Sequence, residues 1–483
     1  MNQPLFLNNP TGKSTDTFPK NHQKPGICEL AEPGYDTFHT DYPKARDFLM
    51  NFKNMVANMI KHPHLLINRN FTLLFSGKVI SLLWDQIYTF ALSCYILDLT
   101  HSSAQQSIFL VINCAISAII SPFGGNIADR YSRKRIMVLM DVIRGIVVLI
   151  MALLFWQNLI QIWMLYISAI ILSFCGAVFS PTASAIIPNI VEEEQLVKAT
   201  SLDQIIWGLA AMVGLLLGGV LFQWIGIFLI FLLTAASYFT SGTLEACLKI
   251  TEFVPTRSGN VRYFKEGFRK TMKELQEGFR YVKSNKLIFS LMKMNAMFHL
   301  TVFPIIMVFF PYIYRVLLQS TSSFQLSIAQ SAGWVGVIIG SLIAPAYLTR
   351  YKIKTSIFWG LLIYSLSTFI LVPVFLPQIH GYFSNWGITL SFSTIGIIIG
   401  LAVAFFDIPI TVIYQKYTAN EYRGRFWGLN GSLLTMTMAI GYFIGGILAE
   451  KVWMGYLFLG ITAITTALNL WVNNVKEIRE MNE

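Results

Sequence analysis

Asp85 stands in a long apolar run with Ser81, Thr89 and Ser93 at four-residue intervals, so one helical face would carry a carboxyl and three hydroxyls. Asp407 lies in a second such run and shares a face with Thr411 and Tyr414, while Asn295 and His299, four apart, lie in a third. A charged side chain at such a place in a bilayer costs about 2.5 to 3.5 kcal/mol on insertion scales, so it marks a water-filled cavity or a functional site. The chemistry these residues suit is proton exchange: a carboxyl that is neutral when empty and ionised when it attracts a cationic group. Asp85 and Asp407 are the candidates for that exchange. Thr89, Asn295, His299 and Thr411 are candidate neighbours in the same cavity, although a single histidine in an apolar helix also suits plain packing.

A second constellation is the stretch Gly-Asn-Ile-Ala-Asp-Arg-Tyr-Ser-Arg-Lys-Arg at 125–135. Gly125 would let a neighbouring helix approach closely, Asp129 could meet a helix dipole or a guanidinium, and Arg130, Arg133 and Arg135 add positive charge. Such a latch could hold one side of the protein shut. Asp141 and Arg144, three apart, and Arg423 and Arg425 are expected in the same cytoplasmic gate network. No HExxH or GxSxG signature appears in the apolar runs, and five scattered cysteines form no pair or cluster. An enzyme, a metal site and a cofactor are therefore not expected.

These side chains need elements to hold them. The chain has 483 residues, of which 54% are hydrophobic and 13% charged, about half the usual charge of a soluble protein, which excludes a soluble enzyme. A bilayer core is crossed by about 20 helical residues. Twelve runs of that order occur, near 70–97, 103–127, 135–156, 160–186, 203–223, 226–247, 287–314, 326–348, 354–376, 386–414, 425–449 and 452–473. The fold expected is an all-α polytopic membrane protein with twelve transmembrane helices.

Basic residues gather in every second connection, including ten between Lys249 and Lys286, and the alternate connections are nearly bare. By the positive-inside rule the basic connections and both termini face the cytoplasm. The net charge of +11 is thus explained by topology, and nucleic acid is not an expected partner. Residues 1–66 form a cytoplasmic tail with an amphipathic stretch at 45–62 and no signal-peptide pattern, so the tail is expected to stay attached. The halves are 67–247 and 287–475, joined by a cytoplasmic linker at 248–286 that carries an amphipathic helix, and 476–483 is a short tail.

The halves repeat. At an offset of 219 the basic loop at 129–135 falls on 348–354, and at an offset of 227 Gly214, Gly218 and Gly219 fall on Gly441, Gly445 and Gly446. These glycines suit close helix packing. Parallel repeats of six helices place a substrate pathway between the halves.

With the latch at 125–135, Asn68-Arg69-Asn70-Phe71 before the first run, Asp85, Asp141, Arg144 and Arg423-Gly424-Arg425, residues 66–475 resemble the major facilitator superfamily, in its macrolide-efflux and siderophore-export branch. The resemblance implies the major facilitator fold, with two pseudo-symmetric halves and the first, fourth, seventh and tenth helices around a central cavity. It implies export of an amphiphilic small molecule by alternating access, coupled to protons, by a monomer in the bacterial inner membrane. Ala210, Gly214, Gly218 and Gly219 are similar to the glycine pattern of antiporters, with Leu215 where that pattern has proline. The arginine common on the fourth helix of drug antiporters is replaced by Leu172, before Gly176. A lysophospholipid carrier without obligatory proton coupling, and a transport-inactive sensor or scaffold, are the competing expectations.

Overall fold

The computed structural model describes residues 67–128, 131–250, 261–320, 322–348, 353–375 and 385–474. Contacts divide the chain into residues 1–55 and 56–483, and all described residues belong to the second unit. The amphipathic stretch expected at 45–62, Asp129 and Arg130 of the latch, and the tail at 476–483 lie outside the described residues.

Among the described residues every regular element is helical. The first half holds α1 (Arg69–Thr100), α2 (Ser103–Ala128), α3 (Arg133–Trp156), α4 (Ile162–Ile190) and one run, Leu196–Ala246, that Gly226 breaks at φ 70° into α5 (196–225) and α6 (227–246). A connecting helix, α7 (Val261–Ser284), follows. The second half holds α8 (Lys286–Leu317), α9 (Ser323–Leu348), α10 (Ile353–Leu371), α11 (Asn385–Tyr417), α12 (Arg423–Lys451) and α13 (Met454–Asn474). Among the described residues eleven helical segments are long and apolar enough to cross a bilayer, and the break at Gly226 makes two spans of one of them, so twelve spans stand six to each side of α7.

The two halves begin alike. Asn68 Oδ1 accepts the N–H of Phe71 at 2.8 Å to cap α1, and Asn285 Oδ1 accepts that of Ile288 at 3.2 Å to cap α8. Inside α8, Pro304 is followed by two π-helical turns, Ile305–Phe309 and Ile313–Leu317. Carbonyls in the first are taken by side chains of other spans: Gln330 of α9 donates to Ile306 at 2.5 Å and Gln106 of α2 to Met307 at 2.9 Å.

The bonds that join the halves gather at the end away from the basic connections, here the far end. The paired glycines make them. Gly218 lies against Phe90 of α1, where an added Cβ would stand 3.1 Å away, and Gly219 faces Ser327 and, at 2.5 Å, the carbonyl of Ser323 on α9. Gly445 likewise meets Pro304 of α8 at 3.0 Å, and Gly446 meets Ser107 and, at 2.8 Å, the carbonyl of Ser103 on α2. Each pair therefore docks its helix on the first span of its own half and the second span of the other.

The same helices then cap their partners. Gln223 Oε1 of α5 accepts the N–H of Phe324 at 3.1 Å and the Ser322 hydroxyl at 3.3 Å, at the start of α9. Glu450 Oε1 of α12 accepts the N–H of Ala104 at 2.9 Å and the Ser102 hydroxyl at 2.5 Å, at the start of α2. Free amides at a helix start attract negative charge, so the caps are matched to their places. An ion pair between Arg315 of α8 and Asp98 of α1, at 3.5 Å, completes the far-end joint.

This packing reverses an ordinary preference. A helical glycine changed to alanine usually gains up to about 1 kcal/mol, and Gly460, with open space beside it, should show that gain. Gly446→Ala should instead lose about 1 to 3 kcal/mol from overpacking. Thermal unfolding of the two purified variants checks this, and an equal rise in both would refute the joint.

Candidate functional site

In the first half four helices converge on Arg144. Its guanidinium donates to Asp141 on the same helix and lies 3.4 Å from Asp85 Oδ2 of α1. It is held between the rings of Phe179 of α4 and Tyr238 of α6, each centroid 4.7 Å away. The Tyr238 hydroxyl donates to the other Asp85 oxygen. Gly145 makes the crossing tight, since a Cβ there would lie 2.8 Å from Phe239 of α6. A buried guanidinium needs carboxylates in good geometry, and removing one partner leaves an uncompensated charge.

Asp141 is wholly buried, whereas the Asp85 side chain keeps 30% of its exposure, so within this cluster Asp85 is the more accessible carboxyl. Asp141 and Arg144, expected at a cytoplasmic gate, stand with Asp85 instead. The remaining members of the Asp85 stripe diverge. Thr89 is half-buried, Ser81 bonds the Lys78 carbonyl at 3.3 Å, and Ser93 receives Gln106 at 2.6 Å as part of the far-end joint.

The second half has its own carboxyl. His299 Nε2 of α8 lies 3.4 Å from Asp407 Oδ2 of α11, and His299 Nδ1 lies 3.0 Å from the Asn295 carbonyl. A carbonyl can only accept, so the Nδ1 position must carry hydrogen. Nε2, the other ring nitrogen, faces the Asp407 carboxyl at ion-pair distance. Phe303 stacks on the imidazole at 5.4 Å. Asp407 keeps 31% side-chain exposure although its Oδ1 is buried without a partner, as is Oδ1 of Asn295. Thr411, one turn on, is half-buried.

The basic stretch acts within its own half. Arg133 Nη1 donates to the Ala185 carbonyl at 2.6 Å and to Asn189 Oδ1 at 2.8 Å, near the end of α4, and Lys134 Nζ reaches the Leu248 carbonyl at 2.7 Å, just past α6. Cations at helix C-termini are stabilised by the dipole. Arg135 is exposed, and the helix-side approach is made by Gly124, where a Cβ would sit 2.9 Å from the Ala177 carbonyl; Gly125 lies in the same turn of α2. In the second half Arg425 pairs with Glu277 of α7 at 3.2 Å and Arg423 donates to the Gln415 carbonyl at 3.2 Å. Tyr281 of α7 stacks on Tyr422 at 4.4 Å, so α7 is fastened to the second half.

Three buried ionisable groups escape a reading of the sequence. Lys78 of α1 bonds Asp203 of α5 at 2.5 Å, and Glu245 of α6 is wholly buried beside Asp141 and Arg144. The available signal was their sign and their place within apolar runs. Among the described residues no three His, Cys, Asp or Glu side chains are grouped to hold a metal ion.

The profile of the Major Facilitator Superfamily matches residues 74–402. Macrolide efflux protein A of Streptococcus pyogenes is 24% identical over 412 residues, covering 85% of this chain and 97% of that protein. A Bacillus subtilis protein provisionally named a bacilysin exporter is 24% identical over 361 residues, covering 72% of this chain and 82% of its own. Among solved structures, a bacterial homologue of the iron transporter ferroportin in its inward-facing state superimposes with a TM-score of 0.64 at 16% identity, covering 84% of this chain and 98% of that one.

If Arg144 is the shared counter-charge, the effects of Arg144→Leu and Asp141→Leu should not add. Each alone should destabilise by about 3 to 5 kcal/mol, and the double variant by clearly less than the sum. Additive losses in thermal unfolding would show that the pair is not energetically coupled.

Proposed function

The chain belongs to the Major Facilitator Superfamily, and from that premise we propose that it is a secondary active transporter that exports an amphiphilic small molecule carrying a cationic group, driven by protons. Two carboxyl groups far along their spans, Asp85 and Asp407, each retain close to a third of their exposure while pointing at neighbouring helices. That observation carries the proposal. A carboxyl sealed by packing would hold helices together and nothing more; one that is open to solvent can exchange a proton for a cation.

The polarity follows from the joint. Among the described residues the caps and the ion pair between the halves gather at the far end, and the end with the basic connections, which the positive-inside rule assigns to the cytoplasm along with both termini, serves as the side from which substrate enters. This arrangement would load substrate from the cytoplasm of a bacterium, across its inner membrane. Gly208, Gly428 and Gly431, on the basic-end portions of α5 and α12, face open space, unlike the far-end glycines of the same helices. Alternating access then means breaking the far-end caps while the basic ends close. A monomer suffices, because both carboxyl sites are complete in one chain.

Proton coupling draws on the His299 and Asp407 pair, an imidazole 3.4 Å from a carboxyl and so two groups that can exchange a proton. It also draws on Arg144. Leu172 leaves α4 without the arginine of related antiporters, and the guanidinium that does meet α4 comes from α3 and lies on Phe179, two turns further along. Export as the direction draws on relatives named for efflux.

The test is accumulation of a panel of macrolides, peptide antibiotics and cationic dyes in cells lacking their own pumps. Expression should lower accumulation of at least one compound, an uncoupler should abolish that effect, and Asp407→Asn should reduce it at least tenfold. Export that survives the uncoupler would overturn proton driving and favour an uncoupled lipid-type carrier; no export of any compound would favour a sensor.

A further inference from the structure

We infer that Glu245 is the group through which a proton leaves the Asp85 cluster toward the basic end, an inference that rests on the proton-driven reading above. Tyr238, Ser241 and Glu245 lie three and four residues apart on one face of α6, a rise of about 10 Å. Tyr238 touches Asp85 at one end of this line, and Glu245, two residues before the C-cap Cys247, lies at the other. Ser241 lies beside both acids: its hydroxyl donates to Glu245 Oε1 at 3.5 Å, and Asp141 packs on the next residue, its Cβ 3.5 Å from where a Cβ on Gly242 would stand. A hydroxyl can accept a proton on one side while donating its own on the other, so it can pass a proton along.

Charge balance gives Glu245 its state. Arg144 is the single cation facing three carboxyls, Asp85, Asp141 and Glu245, and it touches the first two. The cations nearest on the neighbouring elements are engaged elsewhere: Lys78 of α1 by Asp203 of α5, and Lys134 of α3 by the Leu248 carbonyl. Glu245 is wholly buried, its Oε2 has no hydrogen-bond partner, and Asp141 is an anion beside it. An unpaired carboxylate in that surrounding is too costly to persist, so Glu245 rests as the neutral acid.

The cycle then balances in protons alone. Glu245 releases its proton to the solution at the basic end when substrate binding or rocking wets it. A proton arriving on Asp85 frees part of the Arg144 charge to balance Asp141 and ionised Glu245. Transfer from Asp85 along the Tyr238 and Ser241 hydroxyls of α6 restores the neutral acid at Glu245 and the anion at Asp85. One proton enters and one leaves, and only O–H bonds are made and broken.

Two measurements on the full chain test this. Infrared spectra of the purified protein at neutral pH should contain the carbonyl stretch of a protonated carboxylic acid, weakened in E245Q and kept in D85N. In proteoliposomes loaded with the compound exported most strongly in the panel, E245Q should lose proton-driven transport at least tenfold yet keep exchange of labelled for unlabelled compound, while E245D should recover part of the driven transport. An infrared band unchanged in E245Q, or driven transport unchanged in E245Q, overturns the assignment to Glu245. Should the wild type ignore an imposed proton gradient, the coupling reading falls instead, and the infrared result still decides whether Glu245 rests as the neutral acid.

Discussion

A charge inside hydrocarbon has to be matched by a second charge or removed by a proton, and nearly everything specific about this protein follows from how it meets that demand. Its apolar spans carry few ionisable groups, and the tertiary structure pairs Lys78 with Asp203, Arg144 with Asp85 and His299 with Asp407 across helices, while Arg144 also meets Asp141 along α3. The pairings across helices join spans that are distant in the chain. The Arg144 cluster also leaves a remainder, because its carboxyls outnumber the guanidinium that serves them. The remainder is what a transporter can use.

The two halves share a backbone plan and differ in charge. Their first spans start at equivalent asparagine caps, and their fifth spans carry equivalent paired glycines. In the register of those caps and glycines, Lys78 and Asp203 of the first half correspond to Asn295 and Asn430 of the second. A buried ion pair in one half thus answers to two buried amides in the other, both with an unpartnered oxygen. The first half reads as rigidly cross-linked. The second keeps acceptors to spare around Asp407, which suits a site that must hold a changing guest.

The far-end joint shows the same economy of means. Polar groups that a helix leaves unpaired in a bilayer have to be satisfied by protein. Here the start of α2 is capped from α12 and the start of α9 from α5, so the unpaired amides of each half are satisfied by the other. The π turns of α8 do likewise with Gln106. Such bonds are short in reach, so the joint holds only while the two halves keep this arrangement at the far end.

The twelve spans, the break at Gly226, the capping asparagines and the paired glycines are legible in the sequence because each depends on a window of a few turns: hydropathy, a turn residue, or spacing along one helix. So does the conspicuousness of Asp85 and Asp407, since a carboxyl in an apolar run is visible locally. What pairs with what is not local. Arg144 finds Asp85 across 59 residues and Lys78 finds Asp203 across 125, so Asp141 and Arg144 look like a gate along the chain and are a central cluster in space. Arg133 and Lys134 reach carbonyls at two helix ends of their own half, contacts that depend on how the helices pack and not on spacing along the chain. Local pattern determined the elements and the kinds of chemistry present; only the packing of those elements decided which charges cancel, since pairing energy depends on distances of a few ångströms that no spacing along a chain encodes.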